Sequence, residues 1–198
     1  MSEAAAVPAR RFRATAESDF FSGGHVLASP LVREHAPPIV LREIEDRDLD
    51  VLFEHWTDRE AIRMAAFTPP DPDDRGAFDA RWARLRRDQS TTNKVVETEG
   101  RVVGHIASFD LDGQREVTYW IGRQDWGKGI ATRALQEFVA RIEMARPLYA
   151  RAASDNAASI RVLEKCGFTR VGDARGFAHG RDEEIEEVVL RLDAPPDT

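Results

Sequence analysis

Apolar residues along the chain change their period twice, and those changes divide it. Before Ile39 no period is sustained: residues 1–38 mix Ala-rich and Arg-rich pieces with Gly23-Gly24, Pro30 and Pro37-Pro38. We read residues 1–38 as an arm or tail, 39–193 as the folded domain, and 194–198 as a short C-terminal tail. Ile39–Glu43 reads as a strand. Leu49, Leu52, Phe53 and Trp56 then recur at the spacing of an amphipathic helix. Asp46 and Asp48 stand at its start, where carboxylates oppose the helix dipole. A shorter helical piece over Glu60–Phe67 runs into Thr68-Pro69-Pro70-Asp71-Pro72. That run is a loop, because proline lacks a donor and disfavours a helical residue before it. Asp73 or Asp74 can cap a third helix, whose apolar face is Phe78, Trp82 and Leu85.

The period then becomes two. Lys94–Thr98 and Arg101–Phe109 flank Glu99-Gly100, a hairpin signal, and Asp112-Gly113 makes a second turn into Arg115–Gly122. After Gly122 strand and helix alternate. Ile130, Ala134, Phe138 and Ile142 line a helix that Pro147 is expected to end. Leu148–Ala153 is a strand, Asn156 opens a further helix, Gly167 suits a left-handed C-cap, and Ile185–Leu192 is the last strand. A meander followed by alternating elements predicts one mixed α/β domain. Its sheet is mostly antiparallel, with one parallel pair at the first crossover and helices on both faces.

Composition narrows the class. The 198 residues carry 28 Lys+Arg against 35 Asp+Glu, a net charge of −7, so the basic footprint of a nucleic-acid or anionic-membrane binder is missing. A single cysteine, Cys166, excludes an intramolecular disulfide and a Cys-rich zinc module. We expect no metal. No stretch approaches the roughly 20 apolar residues of a membrane helix, and no apolar run follows Arg10, Arg11 and Arg13 as in a secretory signal. A cytoplasmic location is the default expectation.

The chemistry concentrates in Gln124-Asp125-Trp126-Gly127-Lys128-Gly129-Ile130-Ala131-Thr132, which joins a strand directly to a helix. Glycines there let backbone approach a ligand closely, and amides at a helix start converge on an anion, so the loop reads as a phosphate or pyrophosphate cradle. Gly122 to Lys128 also matches the first seven positions of a nucleotide-binding P-loop. The next residue is Gly129 where Ser or Thr must hold magnesium, and that reading fails.

Gln124-x-x-Gly127-x-Gly129 instead resembles the acyl-CoA pyrophosphate signature of the GNAT family of N-acetyltransferases, and it sits after the fourth strand as that family requires. Downstream, Asn156-Ala-Ala-Ser159-Ile-Arg-Val-Leu163-Glu-Lys-Cys166-Gly167-Phe168 resembles the family's second signature. Glu116-Val-Thr-Tyr-Trp-Ile and Arg161-Val-Leu-Glu-Lys-Cys-Gly-Phe look most like the RimJ/RimL-like branch, whose members acetylate protein N-termini, drugs or small amines.

The resemblance implies transfer of an acetyl group from acetyl-CoA to a primary amine by direct attack. The implied cofactor contacts are Gln124, Gly127, Lys128, Gly129, Ile130, Ala131 and Thr132 on the pyrophosphate, with Asn156 and Ser159 from the second signature. A backbone amide near Trp120 or Ile121, at a strand bulge, would polarise the thioester carbonyl. Glu116 is the implied proton acceptor, with Tyr119 and His105 as alternatives. Many relatives place Tyr, the thiolate's proton donor, where this chain has Leu163; Ser159, one turn earlier, could reach the same region, and protonation by solvent is the default alternative. The vacancy at Leu163 also leaves room for a non-catalytic acyl-CoA-binding module. Acidic residues of the Phe67–Asp74 and Asp173–Glu184 segments would suit a cationic acceptor. The acceptor itself stays open between a peptide N-terminus, an aminoglycoside-like drug and a polyamine, and a homodimer is left open.

Overall fold

The computed structural model describes residues 37–194. The expected arm therefore lies outside the described residues except for Pro37 and Pro38, and so does the tail after Ala194. In chain order the elements are β1 (Ile39–Arg42), α1 (Leu49–Thr57), α2 (Arg59–Ala65), α3 (Arg75–Leu85), β2 (Thr92–Thr98), β3 (Arg101–Leu111) and β4 (Gln114–Ile121). There follow α4 (Ile130–Arg141), β5 (Leu148–Ala153), α5 (Ala157–Lys165), β6 (Thr169–Ala178) and β7 (Glu183–Leu192).

The strands form one seven-stranded sheet in the order β1-β2-β3-β4-β5-β7-β6. Every neighbouring pair is antiparallel except β4 and β5, which run parallel and share a single rung, Glu116 opposite Tyr149. The two expected hairpin turns form with both central residues at positive φ: Glu99 (52°) with Gly100 (72°), and Asp112 (50°) with Gly113 (78°). That is the turn whose twist matches the flanking strands.

Each face of the sheet carries its own helices. On one side Ile130, Ala134, Leu135 and Phe138 of α4 and Leu163 of α5 pack on Val117, Ile121, Leu148, Ala150, Val188 and Leu190. On the other, Leu49 and Leu52 of α1 and Phe78 and Trp82 of α3 pack with Ile44 and Val95. Caps fix the helix starts. Asp58 accepts from the Glu60 and Ala61 amides, Asp74 from Ala77, and Asn156 from Ser159. Gly167, at φ 89°, closes α5 while the Phe168 amide reaches back to Leu163.

Two expectations are corrected. α4 stops at Arg141, well before Pro147, because the Ile142 and Glu143 amides both turn onto the Phe138 carbonyl. The Asp173–Glu184 segment is no loop: residues 169–178 form β6, an edge strand paired with β7 and bulged between Arg170 and Gly172. No helix among the described residues is long and apolar enough to cross a membrane.

Candidate active site

Strands β4 and β5 separate beyond Glu116, and the site grows from that fork. Gly122 donates its amide to Val103 of β3. Backbone groups alternate sides along a strand, so the Trp120 and Thr118 amides also point toward β3, while those of Tyr119 and Ile121 point to the open edge. The amide facing the fork is thus Ile121's or Tyr119's. Trp120 contributes through its side chain, on the opposite face: the indole N–H donates to the His55 carbonyl at 3.2 Å, and the ring lies 5.4 Å from Trp56. The expected bulge is not in β4, whose register with β3 is unbroken from Gly104–Ile121 to Leu111–Gln114.

The glycine loop follows directly. Trp126 ties it back to the strand by donating its indole N–H to the Ile121 carbonyl at 2.7 Å. Gly127 and Gly129 adopt φ of 75° and 71°, and a Cβ built on either would meet no atom within 4 Å. Space therefore opens at both positions, where the backbone conformation also disfavours a side chain. α4 starts with no side-chain cap, so the Ile130, Ala131 and Thr132 amides are left for an anion. The residues present thus fit a pyrophosphate. Gln124 reaches a recess of about 320 Å³ shared with Glu54, His55, Asp58 and Arg123.

Lys128 is used differently from what its place in the motif implies. Its ammonium donates to Asp125 at 2.9 Å, so the loop offers a ligand this residue's backbone amide. Asp125 is 2% exposed and also accepts two bonds from Arg101, at 2.7 and 2.8 Å. Arg101, and then Lys128, hold its carboxyl well below the usual range, at about 2. This clamp was invisible in the sequence, since Asp125 occupies a variable position of the motif and Arg101 lies on another strand.

The candidate catalytic residues fall into two groups. Tyr119 leaves β4 toward α5, and its hydroxyl lies 2.8 Å from Ser159 Oγ and donates to the Ser159 carbonyl at 3.2 Å. Burial pushes the phenol up to about 12, with the Ser159 hydrogen bond acting against it. Glu116 projects to the other face. It is 4% exposed at the base of the fork, and it accepts from Arg151 Nε at 2.7 Å. Arg151 was missed in the sequence because its pairing spans 35 residues.

The others are placed as follows. Asn156 caps α5 and donates its side-chain amide to the Met64 carbonyl at 3.2 Å, so both ends of that amide bind the protein itself. Leu163 is 1% exposed in the core. Cys166 packs against the first turn of α4, its thiol 3.5 Å from the Thr132 carbonyl, and burial raises it to about 11. His105 stacks edge-on against Trp82, and burial drives it down to about 3. A histidine so depressed stays neutral, and it lies on β3 under α3, opposite Trp120 and one strand in from the edge of β4 that borders the fork.

A sheet forked at one parallel rung, with an anion-sized cradle where the fork opens, suits a transferase whose donor carries phosphates. The GNAT acetyltransferase domain matches residues 39–169, and the chain belongs to that family, making it an acetyl-CoA-dependent N-acetyltransferase. It is 25% identical over 171 residues to the N-acetyltransferase p20 of Bacillus licheniformis, covering 78% of this chain and 92% of that one. It also resembles Mycobacterium smegmatis RimJ, solved with CoA-disulfide, at 19% identity and a TM-score of 0.69 over 82% of this chain and 86% of that one. Vibrio cholerae spermidine N-acetyltransferase, solved with CoA and spermine, is similar at 21% identity and a TM-score of 0.63, covering 78% of this chain and 95% of that one.

Proposed function

We propose that the protein acetylates a primary amine by direct attack on the thioester, with Tyr119 and Ser159 supplying the proton to the departing thiolate. The bound donor supplies an acetyl group activated as a thioester. The loop amides from Gly127 to Thr132 hold its pyrophosphate, and the open edge of β4 aligns the chain leading to the thioester. The Ile121 amide, directed into the fork, polarises the carbonyl. Glu116, oriented by Arg151, receives the ammonium proton through water.

One observation carries this reading: the Tyr119 hydroxyl lies 2.8 Å from Ser159 Oγ. The hydroxyl that Leu163 cannot supply from α5 arrives from β4 instead, and the case for a non-catalytic module loses its motive. A phenol raised to about 12 keeps its proton at neutral pH, as a donor must. The test is steady-state turnover with acetyl-CoA and a panel of amines. Tyr119→Phe should lower kcat about 100-fold, as losing a positioned acid does, with acetyl-CoA affinity kept. Full turnover in Tyr119→Phe and in Ser159→Ala would remove both from the chemistry.

A further inference from the structure

Several of the acidic residues expected to select a cationic acceptor are bonded to other groups at the protein surface. Asp73 pairs with Arg59, Asp74 caps α3, Asp71 accepts from the Asp73 amide, and Glu184 faces Arg175 at 3.4 Å. On the same side of the sheet stands a cation with no anion. Arg81 of α3 makes no ion pair and no side-chain hydrogen bond among the described residues. Its guanidinium lies 5.9 Å from the Trp56 ring centroid, and Trp56 in turn lies 5.4 Å from Trp120. Its charge also acts on His105, which faces Trp120 across β3 and β4. These contacts fix Arg81 over the face that carries Trp120, Thr118 and Glu116, beside the fork.

Solvent reaches the Arg81 side chain, yet surrounding protein desolvates the head group enough to lower its pKa, and the like charge of Arg84 adds to this. Across the fork Arg151 is by contrast already paired, giving Nε to Glu116 at 2.7 Å. A planar guanidinium presents parallel donors that match the two oxygens of a carboxylate or phosphate. Flanking indoles exclude water and strengthen such a pair.

We propose that the acceptor is a small primary amine that also carries an oxyanion, a carboxylate or a phosphate, and that Arg81 receives that oxyanion against the Trp56–Trp120 pair. This rests on the amine-acetylation reading above and narrows it. The amine end then lies over Thr118 and Glu116, while the anionic end is held outward at α3.

The test uses the full chain, acetyl-CoA and matched acceptors: phenylalanine against phenylalaninamide, phosphoethanolamine against ethanolamine, and spermidine as the cationic arm. At least one anionic member should exceed its neutral partner in kcat/KM by about 10-fold or more, as a charge-assisted pair provides, and the pair that does so separates carboxylate from phosphate. In Arg81→Met that ratio should fall to within about threefold of unity through KM, and Arg81→Lys should keep part of it. The ratio of two substrates does not depend on the folded fraction of a variant. Preference for spermidine or for the neutral amines in the wild type would overturn the proposal, as would a ratio that survives Arg81→Met, leaving Arg81 as a tether to Trp56. No CoA release with any amine would sink the acetylation reading, and this proposal with it.

Discussion

Replacing Arg101 by methionine strips the buried Asp125 carboxylate of two of its three charge-assisted bonds while leaving the apolar stem of the side chain in place. The Asp125 carboxyl lies at about 2 in the folded protein against an ordinary 3.8. That difference corresponds to roughly 2–3 kcal/mol of stability at neutral pH. Arg101 is the larger of the two cations' contributions, but its own side chain is 49% exposed, so we assign it about 1–2 kcal/mol. A domain of this size should then lose roughly 3–6 °C in its thermal midpoint. The pH dependence is the sharper signature. A depressed carboxyl stabilises the fold above its unfolded pKa and loses that contribution as pH falls toward the folded value, so about half of it should be gone by pH 3. Urea unfolding of wild type and Arg101→Met at pH 7 and pH 3 measures this. The gap between them should shrink on acidification. Equal gaps at both pH values, or none at pH 7, would refute the clamp. Acetyl-CoA affinity should weaken in the variant as well, because the cradle loop is no longer held.

Four further outcomes are expected. Gly129→Asp places a carboxylate where phosphate oxygens belong, and calorimetry should show acetyl-CoA binding weakened by about 10-fold or more. Cys166→Ala should leave turnover unchanged, since a thiol raised to about 11 by burial is not a nucleophile at pH 7; a dead variant would demand a cysteine-mediated route. Buried His105, held near 3, accepts its proton more readily once unfolded, so stability should fall as pH drops below about 6.5; His105→Gln should flatten that limb in pH-resolved urea titrations. A chain starting at Ala36 retains β1 and the Pro37 carbonyl that Arg133 bonds, and its calorimetric midpoint should match the full-length one.

The legible parts of the fold were those written in local pattern. Turn pairs at Glu99-Gly100 and Asp112-Gly113, the stripe from Leu49 to Trp56, the caps at Asp74 and Asn156 and the glycine loop all draw on neighbours within a few residues. β6 was missed for the converse reason. It is an edge strand with a bulge, and although burial alternates from Val171 to Ala178, the inward positions are the small Gly172, Ala174, Gly176 and Ala178, so the alternation is not written as a period of two in large apolar residues. The site divided the same way. The glycine loop between β4 and α4 could be placed from sequence. Glu116 with Arg151, Tyr119 with Ser159 and Asp125 with Arg101 join residues 24 to 40 positions apart, and side-chain partners at such distance leave no local trace. Composition also counts carboxylates without showing which are paired: Asp73 and Glu184 face arginines, while Asp71 and Asp74 accept backbone amides.

The lone rung between Glu116 and Tyr149 makes the sheet two leaves on one clasp. β1 to β4 form one antiparallel leaf, and β5, β7 and β6 form the other. Past the clasp the inner edges of both leaves present main-chain donors and acceptors to whatever lies between them. A ligand running along that gap completes the sheet as an extra strand would, so the rigidity of this half of the molecule belongs to the complex rather than to the chain alone. Amide exchange along the inner edges of β4 and β5 should therefore slow on loading, and emptying the site amounts to unzipping a strand.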